Sequence, residues 1–233
     1  MKLVEYIKNS YLTIPEQKEN YLFGEILVHI RKPLSKGVSV TAALKEIERM
    51  LPKEYFAGLE SIIVDELDTG PNFPYNAIYK NNIIYVSSQQ DNVLDMVDDI
   101  IHELGHHCEK RYSEILYSDG KIEDEFRKKR ERLFIDLKSY NMKPINKLTK
   151  TIKYNQDVDY YMYKTIGYKK LFNFINGLFL TNYSAVSIRE YFGIGFEYYV
   201  MEKDGIDKKN IKKICPRLYA KLKILEKKIM RGK

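Results

Sequence analysis

The stretch from residue 93 to residue 106 constrains the fold of this 233-residue chain more than any other. Apolar residues recur in it at the spacing of a helix, namely Val93, Val97, Ile100, Ile101 and Leu104. The spacing predicts an amphipathic helix whose apolar stripe is buried against the rest of a domain. The same helix ends in His102-Glu103-Leu104-Gly105-His106, so a buried element carries two histidines on one face.

This HELGH segment has the residue types and the spacing of a catalytic zinc site. Two imidazoles four residues apart on a helix, His102 and His106, can bind one Zn²⁺ at about 2.0–2.1 Å. Glu103 lies at the flank of the metal, where it can accept a proton from a water molecule that the metal activates. Gly105 leaves space beside the two ligands. The alternative is an incidental pair of histidines, and His107, about 100° away around the helix, is interpreted as a bystander.

A catalytic zinc ion needs a third protein ligand, and the remaining histidines offer no helical ligand position. We therefore expect a carboxylate from a second helix. Glu190 and Glu197 are seven residues apart and share nearly one helix face. Gly193 and Gly195 between them allow another backbone or the ligand helix to come close. Ser187 and Glu190 also have the spacing of a capping box, so Glu190 could instead close a helix start. Spacing alone leaves Glu190 and Glu197 as alternatives.

The order of elements predicts an α+β fold, with a small mixed sheet packed on a mostly helical body. Residues 1–57 are predicted to be an N-terminal helical segment, and residues 58–233 to be the domain that carries the metal site. Apolar residues at 22–30 suggest one helix of this segment, and a second is expected from Ser39 to Leu51. Strands are predicted at 61–64, 77–79 and 83–86, with a turn-rich stretch at 68–76 between the first and the second. Further helices are expected at about 122–140, 157–178, 187–203 and 208–230.

Two neighbouring features allow two interpretations each. Asp98 and Asp99 could orient a ligand imidazole, but their place on the same helix favours surface carboxylates. The strand at 83–86 could be the sheet edge beside the cleft, where a peptide adds as a further strand. It could equally be an interior strand.

Charge and hydropathy narrow the class of protein. The net charge is +7, with basic runs at 127–132, 207–213 and 221–233 that are interpreted as solvated helix faces. The N-terminus has no pattern of a secretory signal, and the most apolar stretch, residues 171–180, is too short to span a bilayer. We therefore expect a cytoplasmic protein without a transmembrane segment, with signal-independent release as the open alternative. Nucleic acid is not the favoured partner.

Three pieces of the sequence resemble the catalytic domain of anthrax lethal factor and the related Pro-Pro endopeptidases. They are Ile101–His106, Leu180-Thr181-Asn182-Tyr183 and Glu190-Tyr191-Phe192-Gly193. The resemblance covers about residues 83–112 and 178–230. It implies a zincin-like fold, and it favours Glu190 over Glu197 as the third zinc ligand beside His102 and His106. It also implies that Tyr183, seven residues before Glu190, assists catalysis.

The chain departs from that group in three places. Ile194 occupies the position where the group often has a second glutamate, whose role would be vacant or taken over by Glu197. The distance from His106 to Glu190 implies a helical insert within 113–178. Residues 1–57 have no counterpart in the group.

The resulting hypothesis is a zinc-dependent endopeptidase that cuts a protein or peptide substrate, with Glu103 as general base. Two alternatives stay open. The Ile194 departure suggests a catalytically weak, zinc-containing binding or regulatory module. The positive charge suggests, less strongly, a basic protein associated with nucleic acid or with a cell envelope.

Overall fold

The computed structural model describes residues 20–67, 76–202 and 208–231. These residues form an α+β fold with one five-stranded mixed sheet and ten α-helices. Residues 1–19 of the predicted N-terminal helical segment and the turn-rich residues 68–75 lie outside the described residues. Within the described ranges, none of the helices combines the length and the apolar character that a membrane crossing requires.

The elements follow one another in a simple order. The strands are β1 (Asn20–Leu22), β2 (Ile26–Ile30), β3 (Ser61–Asp65), β4 (Ala77–Lys80) and β5 (Ile83–Ser87). The helices are α1 (Val40–Met50), α2 (Val93–Arg111), α3 (Ser113–Tyr117), α4 (Lys121–Ser139), α5 (Lys147–Lys150), α6 (Gln156–Tyr160), α7 (Tyr168–Ile175), α8 (Ile188–Met201), α9 (Lys208–Ile214) and α10 (Pro216–Met230). A π-helix spans Tyr161–Ile166, and short 3₁₀-helices span Lys53–Phe56 and Tyr183–Ala185.

The sheet has the strand order β1-β2-β3-β5-β4. Its three central strands are parallel, and the two edge strands, β1 and β4, are antiparallel to their neighbours. Strand β5 is therefore interior, which decides between the two interpretations of the 83–86 segment. The side chains of Ile84 and Val86 are fully buried, as a central strand requires. The edge that lies beside α2 is β4.

The prediction of a helical segment at 1–57 is wrong for residues 20–30, which form the β1–β2 hairpin. Phe23 and Gly24 both adopt positive φ, +54° and +67°, which makes a tight turn between the strands. After this turn β-branched residues favour extended backbone, and the apolar side chain of Val28 packs into the core. Strand β2 pairs with β3 across the predicted boundary at residue 57, so the hairpin at residues 20–30 belongs to the same sheet as the strands of the following segment. Helix α1 lies where the sequence predicted it, and Ser39 caps it.

The segment 157–178 was predicted as one helix, but it consists of three pieces. Helix α6 continues into the π-helix, and Gly167, with φ of +79°, separates the latter from α7. A π-helical turn is uncommon and often occurs near functional sites. This segment forms part of the wall of the main cleft.

The basic run at 127–132 on α4 is a solvated face only in part. Lys129 and Arg130 are almost fully buried, and both donate hydrogen bonds to backbone carbonyls of other segments. These hydrogen bonds offset part of the cost of burying the two cations, although the buried Nε of Arg130 has no partner among the described residues. The remaining residues of the run are exposed or partly exposed.

Candidate metal centre

Helix α2 is fixed at its start and along its apolar face. The Asn92 side chain accepts hydrogen bonds from the backbone N–H groups of Leu94 and Asp95, at 2.8 and 3.1 Å, and so caps the helix. The predicted apolar stripe is buried, since Val97, Ile101 and Leu104 have no exposed surface. Burial of this stripe turns the opposite face, with the two histidines of HELGH, toward α8 and an open cleft.

Glycine on each helix permits the close approach of α2 and α8. A Cβ at Gly193 would lie 2.8 Å from His106 Cε1 and 3.0 Å from His102 Cε1, too close for a side chain unless both rings moved. A Cβ at Gly105 would lie 3.1 Å from Phe196 Cδ1. The two glycines therefore allow the imidazoles of one helix to reach the backbone and side chains of the other.

The structure brings the three predicted metal ligands together. Glu190 Oε2 lies 3.2 Å from His102 Nε2 and 3.8 Å from His106 Nε2. One ligand atom from each of the three residues lies within 4.8 Å of the others. Tetrahedral ligands at about 2.1 Å from a zinc ion would be about 3.4 Å apart. The three side chains therefore fit a divalent ion after a small inward adjustment.

Each imidazole has a second carboxylate behind it. Glu197 Oε2 lies 3.2 Å from His102 Nδ1 in hydrogen-bonding geometry, so Glu197 is an outer partner of His102 and not one of the clustered ligands. Glu109 Oε2 lies 3.5 Å from His106 Nδ1, but this nitrogen makes no hydrogen bond among the described residues. Such carboxylates orient metal-binding imidazoles and raise their basicity.

Spacing alone had left Glu197 undecided, and nothing was predicted for Glu109, although its i, i+3 spacing from His106 was a usable signal. Asp99 does not act as such a partner. Its Oδ2 accepts a hydrogen bond from Gln90 Nε2 at 2.9 Å, and burial raises the pKa of its carboxyl to about 6.

The carboxylates around the two imidazoles favour a positive charge at the centre of the cluster. Burial opposes the charged form of His102, but the hydrogen bonds to Glu190 and Glu197 outweigh it and raise its pKa to about 10. Burial likewise opposes ionisation of Glu190, but the hydrogen bonds to both histidines hold its pKa below the usual range. In the metal-free protein the cluster therefore retains protons that a cation can displace.

Glu103 and Tyr183 reach the same cleft. Glu103 is 7% exposed, and its Oε2 accepts a hydrogen bond of 2.7 Å from the backbone N–H of Tyr79 in the edge strand β4. This bond holds one carboxylate oxygen in place. Tyr183 lies in the 3₁₀-helix just before α8, and its side chain lines the cleft.

His107 points away from the cluster, in agreement with its interpretation as a bystander to the metal. Its Nε2 lies 3.1 Å from the carbonyl oxygen of Ala57, and its Nδ1 lies 3.2 Å from the Tyr79 hydroxyl. His107 therefore supports the edge strand from behind, at the residue whose backbone holds Glu103.

The cleft around the cluster has a volume of about 860 Å³. Seven carboxylates and one arginine are among the residues that line it: Asp95, Asp98, Asp99, Glu103, Asp159, Glu190, Glu197 and Arg189. The segment around the π-helix adds aromatic side chains to the wall, namely Tyr154, Tyr163 and Tyr168. The sequence analysis did not single out these tyrosines or Asp159, because no spacing linked them to the HELGH motif.

No family model, no curated protein and no solved structure matches this chain. The likeness to lethal factor and the Pro-Pro endopeptidases therefore remains a resemblance of short motifs. A functional assignment has to rest on the chemistry of the site.

Proposed function

We propose that this protein is a zinc-dependent endopeptidase with a zincin-like fold. One observation carries the proposal: His102, His106 and Glu190 converge in an open cleft, with the Glu103 carboxylate beside them. Two imidazoles and one carboxylate, with space for a further ligand, are a donor set of catalytic zinc sites in peptidases. When bound there, the ion would supply the Lewis acidity that activates water and polarises a carbonyl.

The protein groups around the cluster suit proton transfer to and from a peptide bond. Because Tyr79 N–H holds one oxygen of Glu103, the carboxylate keeps a fixed orientation. Glu103 accepts a proton from the attacking water and delivers it to the leaving amine. Tyr183, on the wall of the cleft, donates a hydrogen bond to the oxyanion that develops on the carbonyl.

The edge strand supports a peptide as substrate. The Ser87 N–H donates to the Asn76 carbonyl at 2.6 Å, so by antiparallel alternation the backbone groups of Ala77 and Tyr79 point away from β5. The Tyr79 N–H binds Glu103, whereas the Ala77 groups and the Tyr79 carbonyl can pair with an added strand. A peptide bound along β4 would pass directly beside the metal cluster.

Two observations weigh against the alternative functions. The carboxylate that is absent at Ile194 has a counterpart in Glu197, which contacts His102 from another turn of α8. This partner supports a catalytic centre over a weak zinc-binding module. The cleft is rich in carboxylates, which does not suit a polyanionic nucleic acid.

The test is peptide hydrolysis by the wild type and by Glu103→Gln. A peptide library is digested with zinc-loaded protein, with an EDTA-treated sample alongside. The glutamine keeps an oxygen that can accept the Tyr79 hydrogen bond, so fold and zinc content should persist. We expect the variant to lose about 10²–10⁴-fold in rate, the usual contribution of a general base.

Glu131→Gln is the matched control, because it makes the same change on the exposed face of α4. It should cleave like the wild type. Equal cleavage by the wild type and Glu103→Gln, at equal zinc content, would end the peptidase proposal.

A further inference from the structure

A second cavity of about 390 Å³ adjoins the metal centre. His106 and Arg189 line both this cavity and the main cleft, so the two are contiguous. The second cavity lies where β4, α2 and the start of α8 meet. A side chain of a peptide in the main cleft could therefore enter it.

Three cations from three different elements line this cavity. Lys80 ends the edge strand, Lys110 lies one turn beyond His106 on α2, and Arg189 lies in the first turn of α8. In the part of the chain that the structure describes, neither Lys80 nor Arg189 makes an ion pair. Among the described residues, the Lys110 ammonium contacts the Asn82 side-chain oxygen at 3.5 Å and the ring of Tyr79, both of them neutral groups.

The single carboxylate of the cavity is already engaged. Glu109 accepts a hydrogen bond from the Tyr117 hydroxyl and lies close to His106 Nδ1. The cavity therefore keeps an excess of positive charge, whereas the charged side chains that line the main cleft are mostly carboxylates. Because the two differ in sign, an acidic group on a peptide is favoured in the second cavity and disfavoured elsewhere along the cleft.

The hairpin that follows β4 fixes the position of Lys80. Asn81 and Asn82 adopt positive φ, +53° and +60°, as a two-residue type I′ turn requires. Lys80 directly follows Tyr79, whose N–H binds the Glu103 carboxylate. A strand advances about 3.3 Å per residue, so a peptide along β4 reaches Lys80 within a few residues of the reacting bond.

We propose that the pocket formed by Lys80, Lys110 and Arg189 binds a carboxylate of the peptide substrate. This inference rests on the proposed peptidase function and names its substrate preference. A peptide antiparallel to β4 has its N-terminal part at Lys80, because β4 ends there. The pocket therefore selects an aspartate or glutamate side chain within about three residues before the scissile bond.

A binding selection tests the preference without relying on cleavage. Zinc-loaded Glu103→Gln protein is incubated with two random peptide libraries, one with free and one with amidated C-termini. Bound peptides are sequenced by mass spectrometry. We expect Asp and Glu to be enriched about fivefold in both libraries, the size that one or two partly exposed ion pairs give.

The same selection is repeated after adding Lys80→Gln and Arg189→Gln, which should reduce the enrichment to below about twofold. The matched control adds Lys227→Gln and Lys228→Gln, which remove equal charge from an exposed turn of α10 and should leave the enrichment intact. Wild-type digestion of the selected peptides then maps the acidic residue relative to the cut.

Three results would overturn the assignment. They are no acidic enrichment, an enrichment that the Lys80 and Arg189 changes leave intact, or one confined to free C-termini, which would indicate a terminal carboxylate instead. The selection reports binding alone. A protein that selects acidic peptides and cuts none would contradict the peptidase function, whereas one that cuts peptides without acidic selection would contradict this pocket.

Discussion

Helix α8 connects two groups of buried charged side chains that differ in their partners. On one side, Tyr191 donates a hydrogen bond of 2.7 Å to Glu125 of α4. Glu125 also accepts the backbone N–H groups of Arg217 and Leu218 at the start of α10, at 2.8 and 3.2 Å. Nearby, Lys129 and Arg130 donate to carbonyl oxygens of four other residues, Leu178, Ile214, Ala185 and Thr151.

The metal cluster is the second group of buried charged side chains. Glu190, Glu197 and Glu109 face imidazole nitrogens. The α4 charges bind backbone groups and so join segments of the core. The cluster charges converge on one another and leave a centre that suits a cation. Burial of a charge therefore does not itself indicate a functional site. The partners of the charge distinguish a structural group from a metal site.

The largest expected effect is on the metal side, from Glu190→Gln. The change keeps the shape of the side chain but removes a ligand, so zinc affinity should fall by more than the 10–100-fold typical of outer partners. Metal content after dialysis against a zinc buffer measures this loss of zinc affinity. The unfolding midpoint of the metal-free protein checks that the fold persists. Retention of one zinc per chain would contradict the role of Glu190 as a metal ligand. Glu190 would then belong with the structural charges, as those of α4 do.

The matched change in the α4 group is Glu125→Gln. An amide nitrogen would have to face one of the donors that the carboxylate now accepts, which costs about 2 kcal/mol in the free energy of unfolding. Urea denaturation measures this loss. Zinc affinity should stay at the wild-type value, and a large loss of zinc binding would show that the two groups are coupled.

A smaller effect on zinc affinity is expected from changes to the two carboxylates behind the imidazoles, Glu197 and Glu109. Glu197→Gln should weaken zinc binding about 10–100-fold, because Glu197 hydrogen-bonds to His102 Nδ1. Glu109→Gln should weaken zinc binding less, because Glu109 Oε2 lies 3.5 Å from His106 Nδ1 and makes no hydrogen bond with it. Competition with a zinc chelator gives both affinities. The reverse order would mean that the metal draws Glu109 into place.

The smallest effect is a proton exchange. Because the pKa of His102 is raised to about 10 in the metal-free protein, zinc must displace its proton at neutral pH, whereas Glu190 is already ionised. The apparent zinc affinity should therefore rise with pH, up to about tenfold per unit, until His102 deprotonates. Calorimetry in buffers of different ionisation enthalpy should detect release of at least one proton per zinc, because burial opposes the charged form of His106 but its neighbouring carboxylates also raise its pKa. No proton release at pH 7.5 would contradict the raised pKa.

Local patterns predicted much of the secondary structure. The spacing of Val93 to Leu104 predicted α2, and the helical pattern at 208–230 corresponds to α9 and α10, the second of which begins at Pro216. The spacing of apolar residues predicted the wrong secondary structure at residues 22–30, where the same residues fit either a helix or a hairpin. There the positive φ of Phe23 and Gly24 and the pairing with β3 decided for strands. It failed again at 157–178, where Gly167 interrupts the helix.

Local spacing was enough to identify the candidates for the site: two imidazoles and a glutamate on one helical turn, and a carboxylate on another helix. This was possible because helix geometry relates residues three to four positions apart without regard to the rest of the chain. Only the tertiary structure decided that Glu190 meets both histidines, that Glu197 and Glu109 lie behind them, and that β4 is the edge. Contacts between distant segments depend on how whole elements pack. The glycines of α8 indicated that a close approach was possible, but local spacing does not say which side chains meet at Gly193.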